Sequence, residues 1–195
     1  FAISASEAYD TSKEVVRDFI HARSEKEIIY TRNTSESLNL VARSYGETHL
    51  KAGDHILITI AEHHSNLVTW QRVAQKTGAI LDYIYVDKET GHFPEEELKK
   101  IDDPRVKLFA FAEVSNVLGI DFDPKPLIQR AHAHGAIVVL DGAQSTPHKS
   151  VDVQDLDCDF FAFSGHKMCS MGGIGVLYGK EELLNDMEPF LMAAI

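Results

Sequence analysis

Residues 136–144 read Ala-Ile-Val-Val-Leu-Asp-Gly-Ala-Gln, and residues 160–167 read Phe-Phe-Ala-Phe-Ser-Gly-His-Lys. Each is a short apolar run that breaks off into a polar cluster. That is the pattern of a strand covered on both faces, with a loop of chemically active residues at its carboxyl end. Working outward, the same reading predicts strands at Gly175 to Tyr178, Val106 to Phe111, Ile80 to Val86, His55 to Ile60 and Ile28 to Thr31. Helical spacing fills the gaps. Lys125 to His134 is one such segment, Leu67 to Lys76 another that ends at Gly78, and Ala8 to His21 carries Val15, Val16, Phe19 and Ile20 on one face. Thr34 or Ser35 is expected to cap a helix bearing Leu38, Leu40, Val41 and Tyr45 that stops at Gly46. Pro94 begins a further helix, with Glu95, Glu96 and Glu97 first and Lys99 and Lys100 last, a charge order that complements the helix dipole. Asp87 to Gly91 reads as a turn.

Strands alternating with helices require crossover connections. The expected fold is therefore α/β, a three-layer α/β/α sandwich with a mostly parallel sheet. No repeat, low-complexity tract or Pro/Gly/Ser-rich linker interrupts it, so residues 1–195 read as a single domain.

Composition narrows the function classes. Of 195 residues, 19 are basic and 30 acidic, a formal net charge of −11, and 44% are hydrophobic. Disorder and collagen-like composition are excluded. Without clustered Lys or Arg, a nucleic-acid partner is not expected. No apolar run approaches the roughly 18 residues of a membrane span, so no membrane partner is expected either. Phe1 to Asp10 lacks a signal-peptide pattern, and two cysteines, Cys158 and Cys169, suit a reducing compartment, so the expected location is cytoplasmic. Asn33-Thr34-Ser35 matches a glycosylation acceptor but has no secretory context.

The candidate chemistry follows the strands. Position alone leaves Asp141 open between a turn or helix-capping role and a ligand role, as a half-buried carboxylate. Lys167, at a strand end among Ser164, Gly165 and His166, is harder to explain by packing, and a Lys so placed is the usual amine for a Schiff base. Two more polar loops follow strands, Glu62-His63-His64-Ser65-Asn66 and Val114 to Gly119. The His63-His64 pair reads as a surface or hydrogen-bonding pair rather than a zinc site, and His132 and His134 lie on different helix faces. No metal is expected. Gly172, Gly173, Gly175 and Gly179 lack the spacing of a dinucleotide loop. A strand-end Lys, a strand-end Asp and a Thr/Ser-rich helix start together meet the requirements of pyridoxal 5'-phosphate. The Lys makes the Schiff base, the carboxylate keeps the pyridine nitrogen protonated, and hydroxyls with helix-terminal N–H groups hold the phosphate.

In order along the chain, EHHSN (Glu62 to Asn66), SNVLG (Ser115 to Gly119), DGAQ (Asp141 to Gln144), DCD (Asp157 to Asp159) and FSGHK (Phe163 to Lys167) resemble the successive signatures of SUF-type cysteine desulfurases and selenocysteine lyases. These belong to the class V pyridoxal-phosphate-dependent aminotransferase family, and the resemblance covers nearly the whole chain. It implies the large domain of the type I fold. By the same resemblance Lys167 would form the Schiff base, Asp141 would pair with the pyridine nitrogen, Gln144 would bond the ring hydroxyl, and His63 would stack on the ring and take part in proton transfer. Thr34, Ser35, Ser164 and His166 would hold the phosphate, and Asn116 would lie near the substrate carboxylate or the ring. The implied reaction takes sulfur from L-cysteine, or selenium from L-selenocysteine, giving alanine and a protein persulfide that supplies iron–sulfur cluster assembly. A homodimer and a sulfur-acceptor protein are implied partners.

The departures are equally specific. Asn33-Thr34-Ser35-Glu36 stands where the family usually has Gly-Thr-Thr-Glu, and Asn tolerates the left-handed geometry that a Gly would adopt. Ser170-Met171 replaces a common Gly-Pro turn, and Glu113 stands where a His often precedes Val-Ser-Asn. The family's nucleophilic Cys, its substrate-binding Arg, its small C-terminal domain and an N-terminal segment have no counterpart in residues 1–195, so an incomplete or weakly active chain is expected. Cys158 reads as buried packing, its thiol raised by neighbouring carboxylates, and Cys169 lies two residues past Lys167. Two alternatives stay open: a non-catalytic truncated homologue or scaffold fragment, and another class V enzyme, aminotransferase or kynureninase-like.

Overall fold

The structure is a computed structural model that describes residues 2–191. Its strands are β1 (Ile28–Thr31), β2 (His55–Thr59), β3 (Ile80–Ile84), β4 (Val106–Ala112), β5 (Ile137–Asp141), β6 (Phe160–Ser164) and β7 (Gly175–Gly179). They make a seven-stranded sheet in the order β1-β7-β6-β5-β4-β2-β3. All the strand segments read from the sequence are present, with ends shifted by a residue or two. Only β7 runs against the rest, pairing antiparallel with both β1 and β6. The remaining pairs are parallel.

The helices are α1 (Ala2–Phe19), α2 (Thr34–Val41), α3 (Glu47–His49), α4 (His64–Thr77), α5 (Glu95–Leu98), α6 (Pro124–Ala133), α7 (Val153–Leu156) and α8 (Glu181–Asn185). Alternate residues of the central strands separate two apolar layers. Leu57, Phe109, Phe111, Val138, Leu140, Phe161 and Phe163 face one side, where Val16 of α1 and Leu127, Ile128 and Ala131 of α6 cover them. Ile56, Ile58, Leu108, Ala110, Val139, Phe160 and Ala162 face the other, under Leu38 and Val41 of α2 and Trp70 and Val73 of α4. This is the three-layer sandwich the alternation predicted. No described helix is long and apolar enough to cross a membrane.

The structure corrects several local expectations. Helix α1 starts well before Ala8, because residues 3–7 are exposed and carry no apolar stripe to mark them. It stops before His21, whose φ of 56° breaks the helix. The cap of α2 is neither Thr34 nor Ser35 but Asn33, whose side chain accepts the Glu36 N–H. Asn33 is extended at φ −176°, so no left-handed backbone is needed there. Past Val41 the chain continues as one wider helical turn, Ala42–Gly46, into α3. At α4 the expected stop is found, with Gly78 left-handed at φ 77°.

Candidate functional site

The carboxyl ends of β2, β4, β5 and β6 open into one cavity of about 210 Å³. It is lined by every residue nominated from the sequence: Thr34, Ser35, His63, Asn116, Asp141, Gln144, Ser164, His166 and Lys167. Asn33, Ser65, Ala112, Val114 and Ala143 complete the wall.

Asp141 ends β5 and is buried rather than half-buried, at 4% exposure. Its Oδ1 accepts the Ala143 N–H at 2.9 Å, and no ion pair to it forms among the described residues. Burial pushes its pKa up, while the Ala143 N–H, Lys167 and His63 pull the other way. The next residue must be small, because a Cβ on Gly142 would lie 2.0 Å from Phe161 Cζ. Gly142 N–H also bonds Ala162 O at 2.8 Å, which fixes the turn beneath the cavity.

Lys167 closes a single helical turn, Gly165–Lys167, directly after β6. The turn that follows, where a Gly-Pro pair was missed, is made by backbone bonds alone. Gly165 O accepts from Met168 N and Ser170 N, and Gly165 N donates to Ile174 O. Cys169 and Gly173 take positive φ, 65° and 89°, to complete it. The Lys167, His166, Gln144 and Asn116 side chains form no hydrogen bond among the described residues, so their polar groups remain available to a ligand.

His63 caps α4 with its own ring: Nδ1 accepts the Ser65 N–H at 3.2 Å and lies 2.8 Å from Ser65 Oγ. An accepting Nδ1 leaves the neutral ring's proton on Nε2. Thr34 and Ser164 are joined to each other. Thr34 Oγ1 lies 2.6 Å from Ser164 Oγ, which also accepts the Thr34 N–H at 2.8 Å. The start of α2 is thus pinned to the end of β6. Gly175 makes the approach possible, since a Cβ there would lie 2.5 Å from Asn33 Cα.

Two acidic residues outside the nominated set hold the site's loops. Glu113, whose consequence was not legible in sequence, is buried, and its Oε1 pairs with Lys149 Nζ at 2.7 Å. Glu62 is buried between Thr59, Asn66 and Ala112. Its signals in the sequence were its place at a strand end and at the head of EHHSN. Of the cysteines, Cys158 is fully buried, as expected, and its thiol pKa is raised, chiefly by burial and only second by the Asp159 carboxylate that the sequence pointed to, whereas Cys169 is exposed. Among the described residues no group of three or more His, Cys, Asp or Glu side chains could hold a metal.

The arrangement is an amine, a buried carboxylate, a capping imidazole and a hydroxyl-rich helix start around one small polar cavity. The family model "Aminotransferase class-V" matches residues 1–194. A probable cysteine desulfurase of Halalkalibacterium halodurans is 51% identical over 185 residues, which are 95% of this chain and 45% of that protein. Among solved structures, a cysteine desulfurase of Escherichia coli superposes with a TM-score of 0.91 at 42% identity, covering 98% of this chain and 48% of that one. A cysteine desulfurase of Thermococcus onnurineus gives 0.90 at 45% identity, covering 97% and 46%. The chain spans under half the length of these relatives.

Proposed function

The chain belongs to the class V aminotransferase family and is a homologue of cysteine desulfurases, and from that premise we propose that its cavity holds pyridoxal 5'-phosphate for removal of sulfur from L-cysteine or of selenium from L-selenocysteine. The observation that carries this reading is the convergence of Lys167, Asp141, Gln144, His63 and the Thr34–Ser164 corner on one cavity from four separated stretches of sequence. The donor set fits the cofactor. A buried carboxylate with no cation partner among the described residues suits a protonated ring nitrogen, and an amine without an ion pair to any of them is available for covalent attachment. Pyridoxal phosphate, when bound, supplies an electron-withdrawing ring that stabilises negative charge on the substrate carbon.

The protein's own groups do the rest. Asp141 holds a proton against the ring nitrogen. Lys167 anchors the cofactor and moves protons at the substrate carbon. His63, which lines the cavity with Nδ1 accepting the Ser65 N–H, would pack against the cofactor ring and donate from Nε2. Ser35, His166 and the N–H groups at the start of α2 hold the phosphate, with the Thr34–Ser164 pair as their rigid base. Asn116 and Gln144 orient ring or substrate. In the SUF-type branch that the motifs resemble, the sulfur goes on as a persulfide to an acceptor protein for iron–sulfur assembly, and we place the working enzyme in the cytoplasm as a homodimer. The truncated-scaffold and other class V readings gain no observation of their own.

Titrating the 195-residue chain with pyridoxal phosphate is expected to give a visible absorbance band that Lys167→Ala abolishes. The absence of a band, or one that survives the substitution, refutes the cofactor reading. The 195 residues alone are expected to release sulfide from cysteine slowly, and robust turnover would show that they need nothing further.

A further inference from the structure

We propose that Glu62 is a positioning residue whose buried carboxyl fastens the loop carrying His63 to the end of β4, behind Asp141. Glu62 is 7% exposed. Its Oε2 accepts Asn66 Nδ2 at 2.6 Å, and its Oε1 accepts the Ala112 N–H at 3.1 Å while also meeting Thr59 Oγ1. Three elements are therefore joined at one carboxyl, the end of β2, the first turn of α4 and the end of β4. Two of the residues so fixed, His63 and Ala112, line the cavity.

The contacts require a carboxyl specifically. Asn66 cannot turn its amide over, because its Oδ1 takes the Trp70 indole N–H at 2.8 Å. Asn66 Nδ2 and Ala112 N–H are then both obligate donors aimed at different oxygens of Glu62. A carboxamide at position 62 would set its NH₂ against one of them in either orientation. Thr59 Oγ1 donates to Glu62 Oε1, and because a hydroxyl both donates and accepts, this is the contact that can also take a proton from the carboxyl. Around the carboxyl, α4 presents neutral Asn66, β4 presents the backbone N–H of Ala112, and the loop presents Thr59. The charge felt there is that of Asp141 on β5. Burial first, and Asp141 second, push Glu62 up to about 8, against the bonds it accepts. With a value of about 8, Glu62 is mostly protonated at neutral pH.

The inference rests on the pyridoxal phosphate reading only for its consequence in binding, so the test begins with the cofactor-free chain. With glutamate carboxyl carbons ¹³C-labelled, the Glu62 resonance is expected to titrate near pH 8, and the His63 ring and Ala112 amide resonances to follow the same step. Glu62→Gln is expected to shift both reporters at neutral pH, to remove their step, and to weaken pyridoxal phosphate about tenfold by leaving one donor unpaired. A parent chain in which the His63 ring and Ala112 amide resonances do not follow the Glu62 titration overturns the proposal, whether or not the variant folds. Reporters unmoved in Glu62→Gln overturn it as well. A parent chain that shows the step but binds no pyridoxal phosphate upholds the role of Glu62 and refutes the proposed function instead.

Discussion

Replacing Lys149 by Met isolates the ion pair beneath the SNVLG loop. Glu113 follows β4, its side chain is 5% exposed, and its Oε2 has no hydrogen-bond partner among the described residues. Lys149 bonds Glu113 Oε1 at 2.7 Å and Asp121 Oδ1 at 2.9 Å, and so clamps both ends of residues 113–121 to the segment after β5. Burial of the ammonium would lower the Lys149 pKa, but the bonds to Glu113 and Asp121 outweigh it and the net shift is upward. Removing one member of a fully buried pair costs about 3–5 kcal/mol, chiefly through the charge left behind. Here the Lys149 side chain is 34% and Asp121 55% exposed, so water reaches one side and the expected cost falls to about 2–3 kcal/mol. For a chain of this size that is a loss of roughly 5–10 °C in Tm. Urea unfolding of the parent, Lys149→Met, Glu113→Gln and the double variant measures it as a cycle. The double variant should recover part of the loss, because the stranded carboxylate is gone. A Lys149→Met cost below about 0.5 kcal/mol, or a double variant as unstable as the sum of the singles, would refute the buried-charge account.

Two further outcomes follow from the same structure. Gly175→Ala puts a Cβ within 2.8 Å of three Asn33 backbone atoms, which a flexible side chain cannot relieve. It should cost about 1–3 kcal/mol in denaturant unfolding and loosen the Thr34–Ser164 corner, read as weaker pyridoxal phosphate binding; an unchanged affinity would show that the corner does not support the phosphate. His132 bonds Asp159 at 2.7 Å and lies 3.3 Å from Asp157, and the Asp159 bond raises its pKa above the ordinary value. A raised folded-state value favours the fold fully below about pH 6.5 and loses that contribution as pH rises through it. His132→Gln should therefore destabilise more at pH 6 than at pH 8.5 in chemical unfolding, and a cost independent of pH would contradict the assignment.

How much was legible in sequence differs by residue. The apolar strands before Asp141 and Lys167 were readable because a strand covered on both faces must be apolar throughout, and that constraint is local. The ends of α1 and α2 were less so. Exposed residues 3–7 carry no apolar period, and Asn33 caps α2 in place of the hydroxyls one and two positions on. Glu62 opened a recognised motif and Glu113 stood as a departure from the family pattern, and neither had a derivable role, because deciding partners are distant in sequence. Lys149 lies beyond β5, and Ala112 is fifty residues from Glu62.

By itself, then, the sequence determined the alternation of strands and helices, the sandwich that alternation implies, and which polar residues stand at strand ends. Tertiary structure decided what those residues meet. It set Asp141 fully out of water, joined Thr34 to Ser164, reversed β7 so that Gly175 could admit Asn33, and paired the buried carboxyls with donors from other strands. The physical reason is range. Burial periodicity and capping act over a few residues, whereas the desolvation and pairing of a charge depend on every element that closes over it.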